Sequence, residues 1–558
     1  MRVQVPSNLN VPNETNLIMP VWTPGSYLIR EFERNVQDFA ADAGGNSLEW
    51  SKTNKDTWQI KTNGARQWRA FYRVYANEFS VRTNELNADH AFWNNAALLM
   101  YPEGGISKPS TLNIVTPPGW KIATGLPETA PKTFRAENFD ILYDSPVECS
   151  NFKQIDFVVR GVPHRIVIDG DGNYDPDRMR RDVQKIVETE VALFDQIPYH
   201  DYTFILHLRP GGGGIEHLNS TSLGFPRNGF GNENGWRGFY GLVAHEFFHL
   251  WNVKRIRPDA LGPFDYTKEN YTRSLWVAEG ITSYYGDLTV RRAGLNTEKD
   301  YLDGLARSIQ NLQNTPGRLQ MSAEEASFNA WIKEYRPDEN SLNSQISYYD
   351  KGELLGLLLD LEIRHRSNNA KSLDDVMRYL YHDFYEKNRN YTPADFQKAC
   401  ELMAGSSLDD FFRSYVRGRE ELNYNAALNA AGLELKTDAG GDSAQAERPF
   451  LGANLNQSGD RLVVSSVRNG TPAYEQGLNA NDQIVALDGM RVSRDQFEGL
   501  IAAKHPGAVI HLTLFRNDDL RTLDIKLGGR RETPYRIVQL SSPTDDQKRI
   551  YQSWLNGR

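Results

Sequence analysis

The chain has 558 residues, more than one hydrophobic core spans, and at about 150 residues per domain it divides into three or four domains. Its net charge of −9, with no long basic block, removes the electrostatic basis for nucleic-acid binding, and no apolar run reaches the roughly 18 residues of a membrane span. The two cysteines, Cys149 and Cys400, exclude a disulfide framework, and their spacing does not suggest a metal knuckle.

Residues 1–165 read as a β domain. Runs such as Thr57-Trp58-Gln59-Ile60 and Phe71-Tyr72-Arg73-Val74-Tyr75 are parted by Asn, Gly and Pro clusters. Met1 to Pro6 read as the end of a strand and not as a signal peptide. Residues 166–290 are mixed. A helix is expected from Asp175 to Asp195, with Asp175 as N-cap, Pro176 at the first helical position, and Met179, Val183, Ile186, Val187 and Val191 on one face. A strand, Tyr202 to Leu206, leads into the glycine run Gly211 to Gly214. No GK[ST] accompanies the run, so it is read as a place where substrate approaches the backbone closely, not as a phosphate cradle.

The segment His245-Glu246-Phe247-Phe248-His249 carries the most chemistry. Residues four apart share a helix face, so both imidazoles can reach one metal ion, with Glu246 beside them as a general base toward water at the open metal position. Leu242-Val243-Ala244, Phe247-Phe248 and Leu250-Trp251 make this helix apolar almost all round. Two histidines and a glutamate inside it are costly unless a metal or hydrogen bonds satisfy them. A metzincin would need Gly at 252 and His at 255, where the chain has Asn252 and Arg255. Glu279, in the aromatic-rich run Trp276 to Tyr285, is the expected third ligand, brought by a second helix. The cations Lys254, Arg255 and Arg257 either stabilise the end of the histidine helix or face substrate. Residues 291–435 read as helical, with Lys351 to Leu361 a core helix; residues 437–447 read as a linker; and Thr544 to Leu555 read as a terminal helix whose Ile550, Tyr551 and Trp554 pack on another domain.

HEFFHLWNVKRIRP followed by LWVAEGITSYYGDL resembles the M61 peptidase family, the glycyl-aminopeptidase-like proteins, with a wider likeness to the M1 aminopeptidases. Trp22-Thr23-Pro24-Gly25-Ser26-Tyr27 resembles the family's N-terminal signature. Gly212 to His217 stands where M1 enzymes carry the loop whose Glu holds the substrate amine, which assigns that role to Glu216 with Gly213, Gly214 and His217 around the substrate; His217 replaces an Asn of that loop. Tyr349-Asp350-Lys351-Gly352 resembles the M1 segment with the catalytic Tyr, implying that Tyr349 hydrogen-bonds the oxyanion. Residues 448–530 resemble a PDZ domain, with Phe450-Leu451-Gly452 as its carboxylate-binding loop and Asn481 where a Gly is usual.

The resemblance implies a multidomain α+β protein. Its parts are an N-terminal β domain (1–165), a thermolysin-like gluzincin catalytic module (166–290), a helical part (291–435), a PDZ domain (448–530) and a tail packing on the body (531–558). It implies one Zn2+ per chain on His245, His249 and Glu279, with Glu246 and Tyr349 catalytic, and release of small N-terminal residues from peptides. The alternatives are a zinc endopeptidase with substrates recruited by their C-termini to the PDZ groove, and a non-catalytic PDZ scaffold. The expected compartment is the cytoplasm, with the periplasm as the alternative.

Overall fold

The computed structural model describes residues 2–4, 12–437, 447–531 and 534–557, so most of the expected 437–447 linker lies outside the described residues. The chain forms two compact units. The first comprises Met1–Thr272, Tyr285–Asn296 and Asp374–Phe396, the second Arg273–Tyr284, Thr297–Leu373 and Gln397–Arg558.

The first unit begins with small antiparallel sheets. In the strand Gln67–Val74, alternation turns Trp68 and Ala70 inward, where they join Leu17, Met19, Trp58, Ile60 and Met100 in one core. A further sheet runs in the order Lys121–Thr124, Val147–Ser150, His90–Trp93, Glu85–Leu86. A five-stranded mixed sheet follows, in the order Lys153–Val159, Val162–Asp169, Tyr202–Leu208, Ser220–Phe225, Gly213–Glu216. Its two central pairings are parallel, and Tyr202–Leu208 is buried at every position, as a strand covered on both faces must be. The expected boundary at 165 falls inside the strand Val162–Asp169. The hairpin from Lys153 already belongs to the five-stranded sheet, so the change of architecture comes before Lys153.

The helix Pro176–Phe194 is capped as expected: the Asp175 carboxylate accepts from the N–H groups of Asp177 and Arg178. It packs on the histidine helix, Glu233–Phe248, which Asn232 caps. Both cysteines are buried free thiols.

The second unit holds a π-helical turn, Trp276–Ile281, and the helix Tyr348–Arg366, buried along nearly its whole length. The PDZ-like segment is a β-sheet in the order Ala453–Ser458, Arg461–Val467, Gln483–Leu487, Val509–Arg516, Asp519–Lys526, with the helix Arg494–Ala502 beside its first strand. Leu455, Val464, Leu487, Phe497, Leu512 and Ile525 fill its core. Asn481 takes φ 70°, the left-handed conformation usual for glycine, so the expected departure is accommodated locally. Asn343 fastens this sheet to the helical part: its amide N–H donates to the Val467 carbonyl at 2.8 Å, and its Oδ1 accepts from the Asn469 N–H at 2.9 Å.

The tail adds a strand and a helix. Arg536–Gln539 pairs with Leu433–Lys436, and the helix Asp545–Asn556 buries Ile550, Tyr551 and Trp554. The Trp554 indole N–H donates to the Tyr284 hydroxyl at 2.9 Å, and that hydroxyl donates to Asp360 at 2.6 Å. Among the described residues no helix is long and apolar enough to cross a membrane.

Candidate active site

His245 and His249 stand one turn apart at the end of the histidine helix, their Nε2 atoms 3.1 Å from each other. His249 is buried, and its Nδ1 lies 2.8 Å from the Asn252 carbonyl. That carbonyl can only accept, so Nδ1 carries the proton and Nε2 presents a lone pair, the tautomer a metal ligand needs. Two donors on a tetrahedral zinc at about 2.0–2.1 Å lie roughly 3.3 Å apart, so the observed spacing suits a shared ion. Close packing holds the pair: a Cβ on Gly286 would come within 3.3 Å of the His245 backbone.

Glu246, buried beside them, faces the strand Gly213–Glu216. A methyl group on Gly214 would overlap the Glu246 carboxylate, which gives this glycine a steric reason independent of substrate. Glu216 ends the strand, only 3% exposed, and donor atoms of Glu216, Glu246 and His249 all lie within 4.8 Å of one another. Gly25, at φ +83°, presses on Glu216 from the other side; a Cβ there would sit 2.6 Å from Oε2. The Trp22–Tyr27 signature thus backs a carboxylate of the site, and Trp22 anchors it by donating to the Asp265 carbonyl at 2.8 Å.

Sequence reasoning missed Asp144. Its carboxylate accepts from Lys254 Nζ at 2.8 Å, lies 3.1 Å from His217 Nδ1, and accepts from the Leu218 N–H at 2.9 Å. Burial alone would raise its pKa, but Lys254 and His217 more than offset that and bring it to about 2. Lys254, buried as well, has its ammonium pKa raised: desolvation pulls it down, but Asp144 and Glu216 outweigh the loss. Its Nζ lies 3.7 Å from Glu216 Oε1. His217 is thus held through Nδ1 by Asp144, and Lys254 pairs with Asp144 first and with Glu216 at longer range. Arg255 does serve the helix end, donating to the Leu250 carbonyl at 2.9 Å. Nothing local in the sequence marks Asp144; it is 110 residues from Lys254.

In the second unit, Glu279 is buried on the π turn. Gly280, next to it, meets Gly352 backbone to backbone: a Cβ on Gly352 would sit 2.7 Å from the Gly280 Cα. The contact brings the π turn against the start of the helix Tyr348–Arg366, where Ser347 Oγ accepts from the Tyr349 N–H at 3.2 Å. Tyr349 stacks on Tyr348 with ring centroids 4.7 Å apart. Burial first, then the charge of Glu279 and the neighbouring Tyr335, push its hydroxyl pKa well above the usual phenol value, so it remains a neutral donor.

A family profile described as M61 glycyl aminopeptidase matches residues 238–355, and one described as the peptidase M61 N-terminal domain matches residues 1–151. A crystal structure of an aminopeptidase N family protein from Idiomarina loihiensis is 31% identical, with 99% of this chain and 96% of that chain covered and a TM-score of 0.91. The chain belongs to the M61 peptidase family. A PDZ profile matches residues 449–527 of this M61 peptidase. An M1 zinc metallopeptidase structure from Deinococcus radiodurans is 13% identical to it, covering 74% of this chain and 88% of that one, with a TM-score of 0.47. No curated protein matches the chain.

Proposed function

We propose that this M61 peptidase is a zinc aminopeptidase that releases small N-terminal residues, Gly or Ala, from peptides. His245, His249 and Glu279 hold one zinc per chain. When bound, the ion would supply Lewis acidity toward the scissile carbonyl and the attacking water. Glu246 takes a proton from the attacking water and passes it to the leaving amine. Tyr349 donates its hydroxyl to the oxygen that becomes negative in the tetrahedral transition state. The strand at Gly213 and Gly214 lines the substrate backbone, and Glu216 pairs with the substrate ammonium.

The observation that carries this reading is the position of Glu216. A buried carboxylate whose oxygen lies within 4.8 Å of donor atoms of Glu246 and His249 gives an ammonium a partner beside the reacting carbonyl, and fixes cleavage after the first residue. Its Oε1 has no hydrogen-bond partner among the described residues, so acceptor capacity remains for a ligand even with Lys254 at 3.7 Å. Wild type should cleave Gly- and Ala-anilides and leave their N-acetyl forms intact, and Glu216→Ala should lose this discrimination. Equal wild-type rates on free and acetylated substrates would defeat the aminopeptidase assignment.

A second reading, an endopeptidase with substrates recruited by their C-termini, draws on the PDZ domain. The strand Ala453–Ser458 lies at the edge of its sheet next to the helix Arg494–Ala502, the arrangement that takes an added peptide strand, with Phe450-Leu451-Gly452 toward the terminal carboxylate. Cleavage of N-acetylated peptides with apolar C-termini would favour it.

A further inference from the structure

A second cluster of metal-ligating side chains lies in the first unit, built from residues that take no part in the chemistry above. Strand register assembles it. Glu148 pairs with Phe92 in the antiparallel ladder, so His90, two residues before Phe92, projects to the same face as Glu148. In the five-stranded sheet, Asp169 and His207 are direct neighbours across a parallel pairing, and Arg209, two residues beyond His207, shares its face. The two faces meet. Donor atoms of His90, Glu148 and His207 lie within 4.8 Å of one another, and all three side chains are fully buried.

Distances and charge both point to a cation. His207 Nε2 is 3.1 Å and His90 Nδ1 is 3.4 Å from the same oxygen, Glu148 Oε2. These bracket the roughly 3.3 Å between donors on a tetrahedral zinc. Asp169 Oδ2 is 3.7 Å from His90 Nδ1, near a fourth position. The cluster holds three carboxylates, Glu85, Glu148 and Asp169, against the single guanidinium of Arg209, which pairs with Glu85 at 3.0 Å and Asp169 at 2.7 Å. With neutral imidazoles that leaves two negative charges in excess where water is largely excluded, an expensive state unless it is balanced. Glu148 Oε1 has no hydrogen-bond partner among the described residues, so this buried anion is under-satisfied.

We propose that His90, Glu148 and His207 form a second divalent-cation site, of zinc-like preference, that clamps the strands His90–Trp93 and Val147–Ser150 to the strand Tyr202–Leu208. The imidazoles bind through His90 Nδ1 and His207 Nε2, and Glu148 through its carboxylate. His90 then carries its proton on Nε2 and donates it to Glu85 at 3.0 Å, the carboxylate–histidine–metal arrangement of many zinc sites. In the structure Nε2 accepts from Arg209 Nη2 at 2.8 Å, so binding an ion requires that Arg209 turn away from the ring and keep its two carboxylates. With Asp169 near the fourth position and all three ligands buried, the role is structural.

The test needs no catalytic assignment to be right. The full-length double variant His245→Ala/His249→Ala, which leaves this cluster intact, is loaded with zinc, dialysed against metal-free buffer and analysed for metal. About one zinc per chain should remain, and chelation should lower its melting temperature. Glu148→Gln in the same background should abolish retention and the chelator effect together; His207→Gln serves if that variant does not fold. Cobalt in place of zinc should give the d–d absorption of a four-coordinate site, lost on the same substitution. A folded double variant retaining no metal would overturn the proposal and make the cluster a proton-balanced ion-pair network. Metal retained equally after Glu148→Gln or His207→Gln would overturn it too, by placing the ion elsewhere.

Discussion

In the proposed mechanism Glu246 is the base and Tyr349 the hydrogen-bond donor, and each role has its own kinetic signature. Glu246→Gln keeps the shape against Gly214 but cannot accept a proton; kcat should fall about 10²–10⁴-fold with zinc content unchanged. Steady-state kinetics alongside metal analysis check this, and near-native turnover would move the base elsewhere. Tyr349→Phe removes a donor that matters only as the oxyanion forms. It should cost about 2.7–4 kcal/mol in kcat with little change in KM, and a pure KM effect would make Tyr349 a binding residue. Because burial and Glu279 hold the Tyr349 hydroxyl pKa well above the phenol range, its ionisation should impose no fall in rate on the alkaline side below about pH 10. At this scale the sequence was legible where spacing is local. His245 and His249 are four apart, and helix geometry alone puts them on one face. The residues that support them were not legible. Gly25 serves Glu216 across 191 positions of chain, Gly214 yields space to Glu246, and Asp144 restrains Lys254; no local periodicity encodes a partner that far away.

Among the elements, the junction of the π turn with the helix Tyr348–Arg366 governs where Glu279 and Tyr349 sit. Gly280 and Gly352 touch through their backbones, and Gly356 lies against Tyr284, where a Cβ would come 3.1 Å from the Tyr284 Cβ. Gly352→Ala must therefore push the two segments apart. Overpacking of this kind costs about 1–3 kcal/mol. Urea unfolding should register that loss, and kcat should fall with it although no reacting group has been changed; an unaltered kcat would mean that the contact does not set the positions of the two side chains. The helix around Glu279 was foreseen, but its π-helical form was not. One hydrogen-bond register differs from another only in the backbone, and the side-chain pattern of Trp276 to Tyr285 suits either. The helix Pro176–Phe194 and the terminal helix were legible to within a residue or two, because each announces itself with a cap and an apolar stripe.

For the molecule as a whole, the modules were readable because each carries its own motif, and the stripe of Ile550, Tyr551 and Trp554 marked the packing face of the tail, but Tyr284 as the partner of Trp554 and the Asn343 clasp on the PDZ sheet were not, because each is a single contact between residues distant in sequence. Trp554 is fully buried and donates to a hydroxyl that is itself bonded to Asp360. Trp554→Ala should destabilise the second unit by about 3–5 kcal/mol, as truncation of large core aromatics does. Chemical denaturation should show the shift, and a change under about 1 kcal/mol would mean that the tail is an ornament on an independent body.

The Trp554–Tyr284 bond also has a temporal side. Tyr284 lies five residues beyond Glu279, and its indole partner follows 270 positions later. A ribosome adding about 5–20 residues per second takes on the order of 15–50 s to span that interval. Throughout it, the indole that donates to the Tyr284 hydroxyl has yet to be made, while the histidine helix, earlier in the chain, has long since emerged. This part of the second unit therefore completes its packing only after residue 554 has been made, so its folding is post-translational in its last step.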